Sequence, residues 1–249
     1  MASTSETGHA KNVANFEDLI SFCKSYGSAY KPTRQALLVS ELELLRTNAL
    51  TRLQEVKAAK ATFDNATNAR QDAFKPLRPL ATRIINALAA CGAGDLVVAD
   101  ARTINRKLQG VKAPSTPDAE PASESSTGDP THKSISRSQQ SFDSQVDHFA
   151  KLIELVSQQP AYVPNEVELS TPALNMLYKT LQKTNSDVIN AYVGWSNSRV
   201  SRDGVLYNPM NGLVETALAV KVYVKSVYGA SAPQYKQVRA LQFSNRAGK

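Results

Sequence analysis

Side chains suited to nucleophilic, acid–base or metal chemistry are sparse in this sequence, with three histidines and two cysteines among 249 residues. His9 and His132 fall in segments that read as disordered, and His148 stands without the nucleophile and orienting acid that a catalytic set needs, so it is expected to cap or flank a helix. Cys23 and Cys91 lack the paired Cys or His spacing of a zinc site and are expected to be reduced thiols in apolar helical context. Glu41 and Glu43, like Glu166 and Glu168, are two residues apart and therefore about 200° apart around a helix, so neither pair shares a site unaided. Asp64, Asp72, Asp187 and Asp203 are isolated acids on a polar face. Glu-x-x-His does not occur on two helices as a di-iron bundle requires, and there is no glycine-rich phosphate loop and no nucleophile elbow. The expectation is a protein that is not an enzyme, with no catalytic residue, no cofactor and no metal.

The cations are more informative. Arg70, and in the second half either Arg199 or Arg202, lie within otherwise apolar helical stripes. There they would bind an anion, pair with Asp72 or Asp203, or set register. Arg70, Lys75, Arg78 and Arg83 form a denser basic group, the one candidate contact for an anion or a nucleic acid. The second half carries Arg199, Arg202, Lys221 and Lys225 without a matching cluster at its Pro209 turn, which weighs against a phosphate site common to both halves. The net charge of +7 is spread, with +5 over residues 1–111, −2 over 112–133 and +4 over 134–249. Charge so distributed is usually a solvated face.

These residues must be positioned by helices. Residues 111–133 contain four prolines and almost no bulky apolar side chain, which reads as a disordered linker. On either side of it the sequence repeats. Phe16, Leu19 and Ile20 correspond to Phe149, Leu152 and Ile153, and Tyr30-Lys-Pro32 to Tyr162-Val-Pro164. At a shift of 132, Leu42, Leu45, Val56, Phe63 and Phe74 then match Leu174, Leu177, Val188, Trp195 and Leu206. Pro76-Leu-Arg-Pro-Leu80 matches Pro209-Met-Asn-Gly-Leu213, and after a four-residue insertion Gly92-Ala93 matches Gly229-Ala230.

Leu42, Leu45, Ala49, Arg52, Val56, Ala59, Phe63, Ala66, Arg70 and Ala73 step by three and four, a coiled-coil-like seam that runs on into a long helix, and the second half repeats it from Leu174. Pro76 and Pro209 end these long helices. Shorter helices are expected at about 15–26, 77–91, 95–109, 138–157, 210–228 and 232–242. Val220, Val222 and Val224 alternate as in a strand, but the matching segment around Ile84 is rich in helix formers, so a buried helix is expected. Thr171-Pro172 caps, restarts or kinks the second long helix. Phe16, Phe63, Phe149 and Trp195 suit a core. Tyr26, Tyr30, Tyr162, Tyr207, Tyr228 and Tyr235 fall near helix ends or turns as exposed candidates, which cap the bundle ends or contribute to a partner surface, capping being the preferred reading.

The expected fold is all-α, two tandem up-and-down four-helix-type bundle units with one long helix each. Its parts are a disordered N-terminus at 1–11, helical repeat 1 at 12–110, the linker at 111–133, helical repeat 2 at 134–244 and a disordered C-terminus at 245–249. The segments Asn68–Leu77, Thr82–Leu88, Ile104–Leu108 and Pro233–Val238 resemble recurring stretches in uncharacterised bacterial proteins of about 250 residues with two all-helical repeats. The resemblance implies architecture and transfers no activity or site residue. The polar start lacks the apolar core of a signal peptide, and no run reaches the ~18 apolar residues of a membrane span. The expectation is a cytoplasmic protein without membrane contact, presenting long helical faces to a protein partner or to itself. A basic nucleic-acid-associated protein is the second reading.

Overall fold

The computed structural model describes residues 5–110 and 140–245, and every regular element among them is helical. The chain runs α1 (Ser5–Ser25), α2 (Val39–Phe74), α3 (Leu77–Ala90), α4 (Asp95–Gln109), α5 (Phe142–Ser157), α6 (Thr171–Tyr207), α7 (Leu213–Tyr228) and α8 (Pro233–Ala240). Short 3-10 turns precede the long helices, at Gln35–Leu37 and Val167–Leu169. The expected linker, 111–133, and His132 lie outside the described residues.

Local chemistry explains the boundaries. The Ser141 hydroxyl accepts from the Ser144 amide at 3.1 Å and Asp143 sits in the first turn, so α5 starts with both a cap and a favourable charge. At the end of α4, Gly110 adopts φ 75°, and Arg106 and Lys107 in the last turn face the carbonyl end. A β-carbon at Gly110 would meet the movable end of the Gln140 side chain at 2.7 Å, so it is the positive φ that favours glycine there. Thr171 opens α6, which is helical without a break to Tyr207, and α8 has proline in its first turn. Val220 and Val224 are fully buried within α7, so the β-branched run is helical because its packing outweighs propensity.

The chain divides into two compact units, one from Met1–Asp64 with Asn190–Lys249 and the other from Asn65–Ile189. This corrects the expected tandem division at 12–110 and 134–244, because each unit draws on both halves of the sequence. Both long helices are shared: α2 gives its residues up to Asp64 to the first unit and those from Asn65 to the second, and α6 gives its residues up to Ile189 to the second and those from Asn190 to the first.

In the first unit, α1 packs on α7 and α8, and Phe16, Leu19, Leu42, Ala49, Leu206, Leu213, Ala217, Val220 and Val238 form the core. In the second, α4 packs on α3 and α5, around Leu77, Ile84, Leu88, Ala101, Leu108, Phe149, Leu152 and Leu174. The two cores use like residues. Leu77, Ala81, Ile84 and Leu88 are buried as Leu213, Ala217, Val220 and Val224 are. That places the four-residue difference in the turn before these helices, rather than after Leu80 and Leu213.

The N-terminal expectation is also corrected. α1 begins at Ser5, and His9 and Asn12 are buried within it, so residues 5–11 are not a disordered leader.

Candidate functional site

The four cations singled out by sequence all belong to the second unit, but they do not converge. The Arg70 guanidinium lies 4.1 Å from the centroid of the Phe142 ring, a cation–π contact with the start of α5. Arg78 donates through Nη2 to Oε1 of Gln140 at 2.7 Å, and its carbonyl accepts from Gln109 at 2.9 Å. Arg83 is ion-paired with Glu168. Lys75 is exposed in the turn between α2 and α3, where its amide bonds back to Gln71. Three of the four charges thus tie one element to another. Each guanidinium is engaged by a different partner, and no shared anion cradle results.

The seam arginines separate in the same way. Arg202 is 1% exposed, and its Nε and Nη2 donate to Oδ1 of Asp203 at 2.9 and 2.7 Å. Arg199 is only partly buried and lies 5.4 Å from the Trp195 ring centroid. Of the pairings expected for these stripes, Arg202 with Asp203 is the one formed.

Two open clefts border Arg83. One, of about 360 Å³, is lined by Pro76, Leu80, Arg83, Glu168 and Leu177. The other, of about 480 Å³, is lined by residues that include Asn86, Cys91, Asn165 and Glu166. Neither gathers an acid, a base and a nucleophile in bonding contact. Glu166 and Glu168 fall in different clefts, as their spacing predicts.

Cys23, His148 and His9 do not line these clefts. Burial pushes the Cys23 thiol up to about 11, although a bond with Tyr30 opposes this. His148 is buried, which lowers its pKa despite Asp147 at 3.9 Å, and its Nε2 has no hydrogen-bond partner among the described residues. His9 Nδ1 lies 2.5 Å from the Tyr207 hydroxyl, which also accepts from Asn12 Nδ2 at 3.3 Å. Among the described residues no group of three or more His, Cys, Asp or Glu side chains is placed to hold a metal, and no helix is long and apolar enough to cross a membrane.

Tyr30, Tyr162 and Tyr207 are buried rather than exposed. Tyr26, Tyr228 and Tyr235 are partly buried against the first core, so all six close helix ends.

What does reach the surface is one side of α6. Phe63 and Trp195 stack with centroids 5.5 Å apart and planes 18° apart, and Tyr192 packs edge-on against Trp195 at 6.2 Å. Lys60 extends over both rings of the stack while pairing with Asp64 at 2.5 Å. Beside this stack, Tyr192, Val193 and Val200 are 53%, 49% and 69% exposed. Val193 and Val200 are seven residues apart, so they lie on one stripe of the helix. The sequence reading missed them, because a β-branched residue in a long helix gives no sign of whether its side is covered.

No family model, curated protein or solved structure matches the chain. The fold and surface together define an all-helical protein, and its function rests on its own geometry.

Proposed function

We propose that the protein is a non-catalytic helical interaction protein that works by presenting long helical faces to a protein partner or to a second copy of itself. The observation that carries this reading is the exposed apolar stripe of Val193 and Val200 with Tyr192 on α6. Isolated exposed apolar residues are ordinary, whereas residues sharing one stripe beside an aromatic stack are costly to leave in water. A helical partner fits best, since residues seven apart on one helix lie on the same face and can meet a neighbouring helix together.

A duplicated ancestry accounts for the like residues in the two cores, and the resemblance to two-repeat helical proteins belongs with this proposal. The nucleic-acid reading draws little support, because Arg70, Arg78 and Arg83 each have a protein partner.

Light scattering across a concentration series, comparing the native chain with a Val193→Glu/Val200→Glu variant, tests the reading. Self-association or capture of a partner by the native chain, lost in the variant with helix content retained, supports it. A strict monomer that retains nothing through this face, or retention unaffected by the two glutamates, sinks it. Retardation of DNA or RNA at low salt by both chains would instead favour the basic alternative.

A further inference from the structure

Beyond Ala240 the first unit departs from helix, and how it does so points to a binding groove. Leu241 has φ −66° and ψ 124°, and residues 241–245 continue without helix across α1 and α7. Asn12 engages Ser244 in both directions. Its Nδ2 donates to the Ser244 carbonyl at 2.8 Å, and its Oδ1 accepts from the Ser244 amide at 3.1 Å. One turn along α1, Asn15 donates to the Gln242 carbonyl at 2.6 Å. From α7, Lys221 donates to the Leu241 carbonyl and lies 5.0 Å from the centroid of the Phe243 ring, itself packed on the core.

These bonds read main chain. A side-chain amide that pairs with both the N–H and C=O of one residue imitates a neighbouring strand, so it holds an extended segment of any sequence. Selectivity falls to Phe243, the one ring between the bonded carbonyls, which meets both the apolar core and a cation. Asn12 is only 2% exposed with the segment in place, and its Nδ2 also donates to the Tyr207 hydroxyl at 3.3 Å. Among the described residues the second unit shows no such arrangement. There α4 stays helical to Gln109, and Gln145, on the corresponding stretch of α5, donates to the Gln140 carbonyl.

We propose that Asn12, Asn15 and Lys221 form a peptide groove, filled in cis by residues 241–245, which also accepts the same segment of a second copy of this chain. The inference is independent of the exposed stripe on α6. A tethered segment competes at an effective concentration in the millimolar range, so the intact chain takes a peptide in trans only weakly.

The probe is a fluorescein-labelled peptide of residues 241–249, LQFSNRAGK, read by anisotropy against three full-length chains. In Ser244→Pro the chain's own segment loses the amide that donates to Asn12, so this variant is expected to bind the peptide at least tenfold tighter than the native chain. Adding Asn12→Ala to that background is expected to abolish binding. A Ser244→Pro chain that binds no tighter than the native one, or that binds equally well with Asn12→Ala, overturns the proposal. Should Ser244→Pro lose helical circular dichroism, the unlabelled peptide must restore it, and failure to do so overturns the proposal equally.

Discussion

Arg202 Nε and Nη2 both donate to a single oxygen of Asp203, the next residue in sequence, with the guanidinium almost wholly enclosed and the carboxylate side chain 23% exposed. Asp203→Ala takes two charge-assisted hydrogen bonds from a buried guanidinium, whereas Arg202→Met removes the buried charge itself. Asp203→Ala is expected to destabilise the chain by about 1.5–3 kcal/mol, and Arg202→Met by less. Urea titrations of both variants check the order, and the reverse ranking would mean that the carboxylate is not what holds Arg202.

Tyr30 and Tyr162 make one bond in two places. The Tyr30 hydroxyl donates to the Leu37 carbonyl at 2.7 Å, and that of Tyr162 to the Leu169 carbonyl at 2.8 Å, each pinning the turn before a long helix. Tyr30→Phe and Tyr162→Phe should each cost about 1–2 kcal/mol through an unsatisfied buried carbonyl. Burial, aided by Cys91 and Glu166, pushes Tyr162 from the usual 10.0 up to about 12, and burial raises Tyr30 further. The protonated phenols therefore belong to the folded state, and stability should fall as pH rises above 10. Denaturation midpoints between pH 9 and 11 should drop less in the double phenylalanine variant.

For His148, desolvation lowers the pKa from 6.5 and outweighs Asp147, while Lys151 and Lys107 act with it. The unfolded chain then takes up the proton first. Stability is full above pH 6.5 and is lost as pH falls through it toward the lower folded value. Replacing His148 with Gln should flatten the stability curve between pH 7 and 5, measured by thermal melts. An unchanged slope would assign the acid sensitivity to other groups.

The two thiols should differ sharply toward alkylation. With a pKa of about 11 and 1% exposure, Cys23 is about one-thousandth thiolate at pH 8 and hardly reachable, whereas Cys91 is partly exposed. Mass spectrometry after brief iodoacetamide treatment should find one label on native protein, at Cys91, and two after unfolding in guanidinium.

Much of the helical layout was legible because burial follows apolar spacing. Leu77, Ala81, Ile84 and Leu88 step by four and three, and α3 forms where they predict. The stack of Phe63 on Trp195 was half visible, since the repeat register pairs those two positions without saying that they touch. Residues 5–11 were illegible, because His9 and Asn12 are buried through hydrogen bonds, to which hydrophobic periodicity is blind. The division into units was hidden for a different reason. Periodicity says which side of α1 is apolar, but Phe16 and Leu19 carry no mark that their partners lie on α7 rather than α3. The cationic group failed as a site because linear density says nothing of engagement, and Arg83 had already met Glu168.

The composite make-up of the two units carries over to what happens when the backbone is cut. Proteolysis between residues 110 and 140 yields two fragments, and each holds part of both units and the whole of neither. Expressed separately, the fragments would each display two unfinished cores and be prone to aggregate. Co-expressed, they have every piece required to reassemble through complementation, as a natural split protein.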